Sequence, residues 1–468
     1  MSLATGALPV LDSFGDAWPL LAKCASGHAA PRFLRPKCND EISAILRNAS
    51  AAGEIVVVAG GRSGVVGALV TSAAEIVLDM TGLARVIEID EDACTVTVEA
   101  GILGGVLEQR LAERGFTCGH YPQSLAISTV GGWLSTRGTG TFSNKYGGIE
   151  DLVVGCEIVL ADGELVRLGG APRSAAGPRL IELFLGSEGT FGVVTRVTLS
   201  IFPLAEASRF HTWAMPSLSA GIEACRTLFR RHASPALLRL YDVAESRHLY
   251  ARNNTSGTDP LLIVGLEGAS QIVEAEAALA TEVLQANGGR LLGPAIGEAW
   301  SAGRYRADWL EAGNAAPDRI ADSIEVAVAW PRLIPLYERV MVEIAPHASW
   351  SMAHLSHFYP IGSMFYFIFG IEDGDGARLV ERYRLIWRIV EHAALELGGT
   401  TTHHHGVGVV RADSFRRELG PAAHRMLSAI KRALDPCGVL NPAALGFSAG
   451  GWPRQPQDCY ETGGGRKQ

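Results

Sequence analysis

The stretch TTTHHHGVG, Thr400 to Gly408, sets three of the chain's thirteen histidines side by side. An ordinary imidazole gains or loses its proton near neutrality and also ligates metals, so His403, His404 and His405 are candidates for acid–base chemistry. In an extended segment adjacent side chains point to opposite faces, and only His403 and His405 could share one metal ion, with further ligands needed from elsewhere. His354 and His357 in MAHLSHF alternate with Tyr359 on an expected strand. They either line the same cavity as the triplet or are ordinary polar residues of a half-exposed strand. No resident metal is expected.

A second candidate is VVVAGGRSGVVGALV, where Gly60, Gly61, Gly64 and Gly67 directly follow a strand. Small residues there let backbone N–H groups approach a phosphate. The loop lacks the GK[ST] of a Walker A motif and is not GxGxxG; a tight turn between strands would look the same.

These residues need a framework, and the 468-residue chain is long enough to supply two cores, since single cores stop growing at roughly 250–300 residues. Strands are expected in EIVVVAG, AEIVLDM, CTVTVEAG, LVVGCEIVLADGELVRL and FGVVTRVTLSIFPL, from their Val and Ile content and Gly-bearing ends. Between them NDEISAILRNASAAG, with Asn39 or Asp40 as N-cap, and GGVLEQRLAERG, closed by Gly115, read as helices. After Pro203 longer helices alternate with isolated strands such as ALLRLYDV, LLIVGLEG and MFYFIFGI. The fold class is therefore α+β. The expected divisions are a first domain over 1–204, a second domain of antiparallel sheet and helices over 205–411, a helical segment over 412–447 that returns to the first, and a mobile tail over 448–468.

The formal charge of −8 and the lack of a basic cluster argue against nucleic acid as a partner. Eight cysteines without CxxC spacing read as reduced thiols with no disulfide. With no apolar span of about 20 residues and no signal sequence, the expectation is a cytoplasmic protein without a transmembrane segment.

The order of the segments carries more than any one of them. The glycine loop is followed by LDMTGLARVIEID, TVTVEAG, HYPQSLAISTVGGWLSTRGTG, NKYGGIEDLVVGCEIVLADGE and LFLGSEGTFGVVTRVTL. This series resembles flavoproteins of the vanillyl alcohol oxidase type, with a PCMH-type FAD-binding domain of two subdomains and an antiparallel substrate (cap) domain. The resemblance implies FAD as cofactor. It implies contacts from Gly60, Gly61, Arg62, Ser63, Gly64, Val65 and Gly67, from Pro122, Ser124, Ser128, Thr129, Gly131 and Gly132, from Ser135, Thr136, Arg137 and Thr139, and from Glu188, Gly189, Thr190, Gly192 and Val194. The loop offers no histidine for covalent attachment, so a noncovalent flavin is expected.

The spelling THHHGVG is similar to the alkyldihydroxyacetonephosphate synthase branch of that family, whose members exchange an acyl chain for a fatty alcohol without net redox. On this resemblance the catalytic residues are His403, His404, His405 and Tyr366, although a shift of two residues would put Met364 in the tyrosine's place. The alternative is an oxidase or dehydrogenase that passes a hydride from a 2-hydroxy acid or alcohol to flavin N5. The sequence departs from the branch where an anion-binding Arg is expected: GRYRADWLEAG offers Trp309, Leu310 and Glu311. Arg304 or Arg306 is then the candidate substrate clamp, together with His354 and His357. The expected partner is a small molecule, lipid-like on the synthase resemblance, and a homodimer is a further expectation.

Overall fold

The computed structural model describes residues 31–69, 75–306 and 318–447. Near the start, β1 (Arg32–Leu34), β2 (Val56–Ala59) and β3 (Ile76–Asp79) form a parallel sheet in the order β1-β3-β2. The helix Asn39–Ala52 crosses from β1 to β2 and buries Ile42, Leu46 and Ala49, one face of a 3.6-residue repeat, against Val56, Ile76 and Leu78. Its N-cap position is Cys38, which makes no side-chain cap, in place of the expected Asn39 or Asp40. Gly53 closes it at φ 67°, a backbone conformation that favours glycine.

A second, all-antiparallel sheet follows. Its strands are β4 (Val86–Asp90), β5 (Thr95–Glu99), β7 (Val153–Val159), β8 (Leu165–Gly169) and β9 (Val193–Ser200), in the order β4-β5-β9-β7-β8. The two-residue strands β6 (Phe116–Thr117) and β10 (Phe202–Pro203) make a separate ribbon. The alternation of β9 sends Val197 and Leu199 into a core shared with Val96, Val98, Ile158 and Trp133.

The third sheet has seven strands: β11 (Ala207–Ala214), β12 (Leu237–Tyr241), β13 (Leu261–Gly268), β14 (Arg290–Gly293), β15 (Arg319–Ala329), β16 (Trp350–Tyr359) and β17 (Gly362–Glu372). All neighbours are antiparallel, in the order β14-β11-β13-β12-β16-β17-β15. Phe365, Phe367 and Phe369 of β17 point into a core with Leu336 and Val340 of the helix Leu333–Ile344 and Ile386 and Val390 of the helix Gly376–Glu396. Period 2 then sends Tyr366 to the opposite face. The register sets Glu325 of β15 opposite Tyr366, Tyr366 opposite His354, and His354 opposite Tyr241. One row of polar side chains thus runs across four strands.

The even alternation expected for His354, His357 and Tyr359 does not occur. The register shifts between Ser356 and Phe358, and His357 sits at φ 54°. This bulge turns His357, three residues from His354, into the same cavity.

The helix Ala412–Leu434 breaks at Gly420, φ 69°, just before Pro421. Its buried Lys431 donates to the carbonyls of Thr190 (2.6 Å) and Leu440 (2.7 Å) and to Asp435 at 2.5 Å. The chain then meets the first sheet, with Val56 N donating to Val439 O and Asn441 N to Val56 O. Cys437 is disulfide-bonded, against the expectation of reduced thiols; Cys38, Cys94, Cys118, Cys156 and Cys225 are free. The tail over 448–468 and the segment with Trp309, Leu310 and Glu311 lie outside the described residues. Among the described residues no helix is long and apolar enough to cross a membrane.

Candidate active site

A cavity of about 550 Å³ lies between the glycine loop and the third sheet. That is within the range of small-molecule sites. Gly60, Gly61, Arg62, Ser63, Gly64, Val65 and Gly67 line one wall. Pro122, Ser124, Ser128, Thr129, Gly131, Gly132, Ser135, Thr136, Thr139, Glu188, Gly189, Gly192 and Val194 extend it. Arg239, Arg304, Arg306, His354, His357, Tyr366, His404 and His405 line the opposite side.

Three expected contacts fall elsewhere. Arg137 caps its helix at φ 51° and reaches out to Glu182 at 3.3 Å, away from the cavity. Thr190 is fully buried and its hydroxyl donates to Ser187 O at 2.6 Å. His403 turns its ring away from the cavity to Tyr359.

The glycine loop packs at backbone distance. A Cβ on Gly60 would stand 2.3 Å from Thr129 Oγ1 and one on Gly61 1.8 Å from Ile127 O, whereas one on Gly64 meets nothing within 4 Å. Among the described residues, the amides of Gly61 to Val65 donate to no protein acceptor. Free donors on a loop that lines a cavity suit an anion such as a pyrophosphate. Asn441 Oδ1 and His405 Nδ1, both on cavity-lining residues, are buried without a hydrogen-bond partner. This cradle and these open polar atoms fit a bound dinucleotide flavin.

The histidine segment is a bend and not an extended strand. It begins at Thr400, bridged to Ala327 of β15, and folds around the fully buried Glu325 carboxylate. Glu325 Oε1 accepts from Thr402 Oγ1 at 2.9 Å and from the amides of His403 (3.1 Å), His404 (3.2 Å) and His405 (2.9 Å). Glu325 Oε2 pairs with the guanidinium of Arg411, whose NH1 also donates to Thr401 O at 2.5 Å and Glu325 O at 3.1 Å. Burial alone would raise the Glu325 carboxyl, but Arg411, His405 and the amide bonds outweigh it and bring it down to about 2. On the other flank Glu188 accepts from Val407 N (2.5 Å) and Gly408 N (2.9 Å), so its carboxylate pins the turn after the histidines; burial lifts it to about 7 despite these amides.

Curling around one carboxylate brings the three rings together. His404 Nε2 lies 2.7 Å from Tyr366 OH, His403 Nδ1 2.8 Å from His404 Nδ1, and His403 Nε2 2.6 Å from Tyr359 OH. His405 Nδ1 comes to 3.4 Å from Glu325 Oε2 without hydrogen-bond geometry. Burial, then the neighbouring imidazoles, pushes His404 well below its ordinary value; burial takes His403 down to about 4, with Glu325 opposing. Burial and the Glu325 charge raise the Tyr366 phenol. At neutral pH the cluster is a set of neutral imidazoles and phenols. Met364, the other candidate for the tyrosine's position, is fully buried against Ser356.

His354 is fixed from both sides. Its Nδ1 meets Glu245 Oε2 at 2.7 Å and its Nε2 meets Arg239 NH2 at 2.6 Å, so Nδ1 carries the proton and Nε2 accepts. His357 Nδ1 lies 2.7 Å from Ser143 Oγ. Arg304 is engaged with Ser301 and Tyr305 and stacks over the Tyr305 ring at 4.6 Å, while Gln123 donates to Arg306 O. Arg239 stands nearer the histidines, and its Nε is buried and unpartnered. Sequence reasoning missed Arg239, Glu325 and Arg411. A lone Glu in the otherwise apolar IEVAVAW was the available signal, because a buried carboxylate demands a partner.

Residues 30–169 match the family model described as FAD binding domain, and residues 204–445 match FAD linked oxidases, C-terminal domain. Alkyldihydroxyacetonephosphate synthase of Trypanosoma brucei brucei is 30% identical over 450 residues, covering 88% of this chain and 72% of that protein. A solved structure of an alkyldihydroxyacetonephosphate synthase superposes with a TM-score of 0.74 at 25% identity, covering 88% of this chain and 77% of that one. Substrate-bound p-cresol methylhydroxylase superposes at 0.72 and 16% identity, covering 90% of both chains, which is a likeness of fold: the expected α+β architecture of the PCMH type. The chain belongs to the FAD-linked oxidase family and is an FAD-dependent enzyme.

Proposed function

We propose that the protein is a synthase-like transferase that replaces the acyl chain of an acylated dihydroxyacetone phosphate by a fatty alcohol. The ester C–O bond at C1 breaks, an ether C–O bond forms, and a carboxylic acid leaves, with no net redox. The observation that carries this reading is the 2.7 Å contact between Tyr366 OH and His404 Nε2 inside a cluster of neutral imidazoles. Labilising an acidic C–H needs a base that is unprotonated at neutral pH and within reach of the reacting carbon. FAD, when bound, supplies an electrophilic centre for that carbon.

The glycine loop would hold the pyrophosphate without a covalent link, since neither His nor Cys occurs in it. Arg239 would face the substrate's anionic group, its fork of donors suited to phosphate. Oxidation of a 2-hydroxy acid or alcohol is the second reading, favoured by the family description, FAD linked oxidases. In it the same His404 would accept the hydroxyl proton. Incubation of the holoenzyme with acylated dihydroxyacetone phosphate and labelled fatty alcohol tests the first reading: labelled ether lipid with equimolar released fatty acid is expected, and fatty acid without label in the ether product would refute it.

A further inference from the structure

We propose that Tyr366, His404, His403 and Tyr359 form a proton relay that carries the reactive proton between the cavity and a point outside it, with Tyr359 as the outer end. The proposal rests on the acid–base reading of Tyr366 and His404 given above. The links are Tyr366 OH to His404 Nε2 at 2.7 Å, His404 Nδ1 to His403 Nδ1 at 2.8 Å and His403 Nε2 to Tyr359 OH at 2.6 Å. Tyr366 and His404 line the cavity; His403 and Tyr359 do not. The chain of contacts therefore starts at the reacting space and leaves it.

Every member can donate and accept at once, because a neutral imidazole has one N–H and one bare nitrogen and a phenol has both functions on one oxygen. In one arrangement Tyr366 donates to His404 Nε2, His404 Nδ1–H to His403 Nδ1, and His403 Nε2–H to Tyr359. When Tyr366 receives a proton from the substrate, it passes its own to His404, which passes its Nδ1 proton to His403, which passes its Nε2 proton to Tyr359, which releases its own outward. Each residue that gains a proton sends one on, the two imidazoles from the opposite ring nitrogen, and no charge stays on the chain. The relay requires both imidazoles to be neutral, and burial keeps His403 and His404 so. At the outer end, burial raises the Tyr359 phenol, the carboxylates of Glu150 and the exposed Asp151 add to that, and the Ser143 hydroxyl opposes it. His357, packed 5.1 Å from both His403 and His404, has its Nδ1 engaged by Ser143 and stands beside the relay.

The bland alternative is that Tyr359 only braces His403. Two measurements on the FAD-loaded protein separate the two. With ¹⁵N-labelled histidine, Tyr359→Phe should move the ring-nitrogen resonances of His404 as well as those of His403, since the tautomers are coupled through the Nδ1 pair; an unmoved His404 would overturn the relay. In turnover, Tyr359→Phe should lower kcat roughly tenfold, less than loss of a direct acid–base group. KM should stay within about twofold, and added imidazole buffer should restore the rate. His403→Gln should show the same defect, and the double variant should be no slower than either single one. Parent-like kcat in both variants, or additive losses without buffer rescue, would also overturn it. If the parent does not exchange alcohol at all, the functional reading fails, while the resonance experiment still decides the relay.

Discussion

Glu325 and Arg411 face each other with no solvent on either side chain, and the carboxylate oxygen left over from that pair is the point around which the three histidine amides fold. Removing one member of a buried pair strands the other. Glu325→Gln should therefore lower the unfolding free energy by about 3–5 kcal/mol, measured by urea denaturation of the holoenzyme, and a loss below about 1 kcal/mol would remove Glu325 from this role. Its folded pKa, about 2, lies below the unfolded value of about 4.3. Its contribution is therefore complete above that unfolded value and is lost as pH falls toward 2.

Tyr366 and His404 touch each other at the cavity wall but lie away from the glycine loop's packing. His404→Ala and Tyr366→Phe should each retain a full flavin complement by absorbance while kcat falls by roughly 10²–10⁴. Undiminished turnover in either variant would take that residue out of the chemistry.

Burial depresses both His403 and His404. A histidine whose folded pKa is lowered binds its proton more weakly in the folded state, so its effect on stability is absent above the unfolded value, about 6.5, and turns destabilising as pH falls through it. Two consequences can be measured. Stability should decline below about pH 6.5, and kcat should show no acid limb near 6.5, because the working imidazoles are still neutral there. An apparent pKa of about 6.5 in kcat would contradict the neutral cluster.

Gly61 and Gly64 share a loop but not an environment. A methyl on Gly61 would strike the Ile127 carbonyl, whereas a side chain on Gly64 would enter open space. Gly64→Ala should fold and load FAD, and Gly64→Asp should fold yet lose most of its flavin through repulsion of the pyrophosphate. Gly61→Ala should lower both stability and flavin content. Flavin-to-protein ratios across the three variants check this; equal loading would deny the loop its role.

The parts legible in the sequence are those with local signatures. The glycine loop, the Gly131–Gly132 pair and the alternation of Phe365, Phe367 and Phe369 around Tyr366 can each be read from a few neighbouring residues. Long-range pairing left no such trace. Glu325 meets His403 78 positions away and Arg411 86 positions away, and β15 itself was not expected. The curl of the triplet follows from those partners, which is why an extended segment was the natural but mistaken expectation, and the bulge at His357 meets Ser143, 214 positions away. Arg239 was passed over because ALLRLYDV reads as an ordinary strand until its partner His354 is seen across the sheet.

Under the proposed exchange the chain uses FAD without net redox, and the flavin reports on this directly. Oxygen-free holoenzyme mixed with acylated dihydroxyacetone phosphate and labelled fatty alcohol should form labelled ether product over many turnovers while the oxidised flavin band is fully recovered at the end. Lasting bleaching of that band, one flavin reduced per substrate consumed and no ether product, would contradict the account and establish hydride transfer instead.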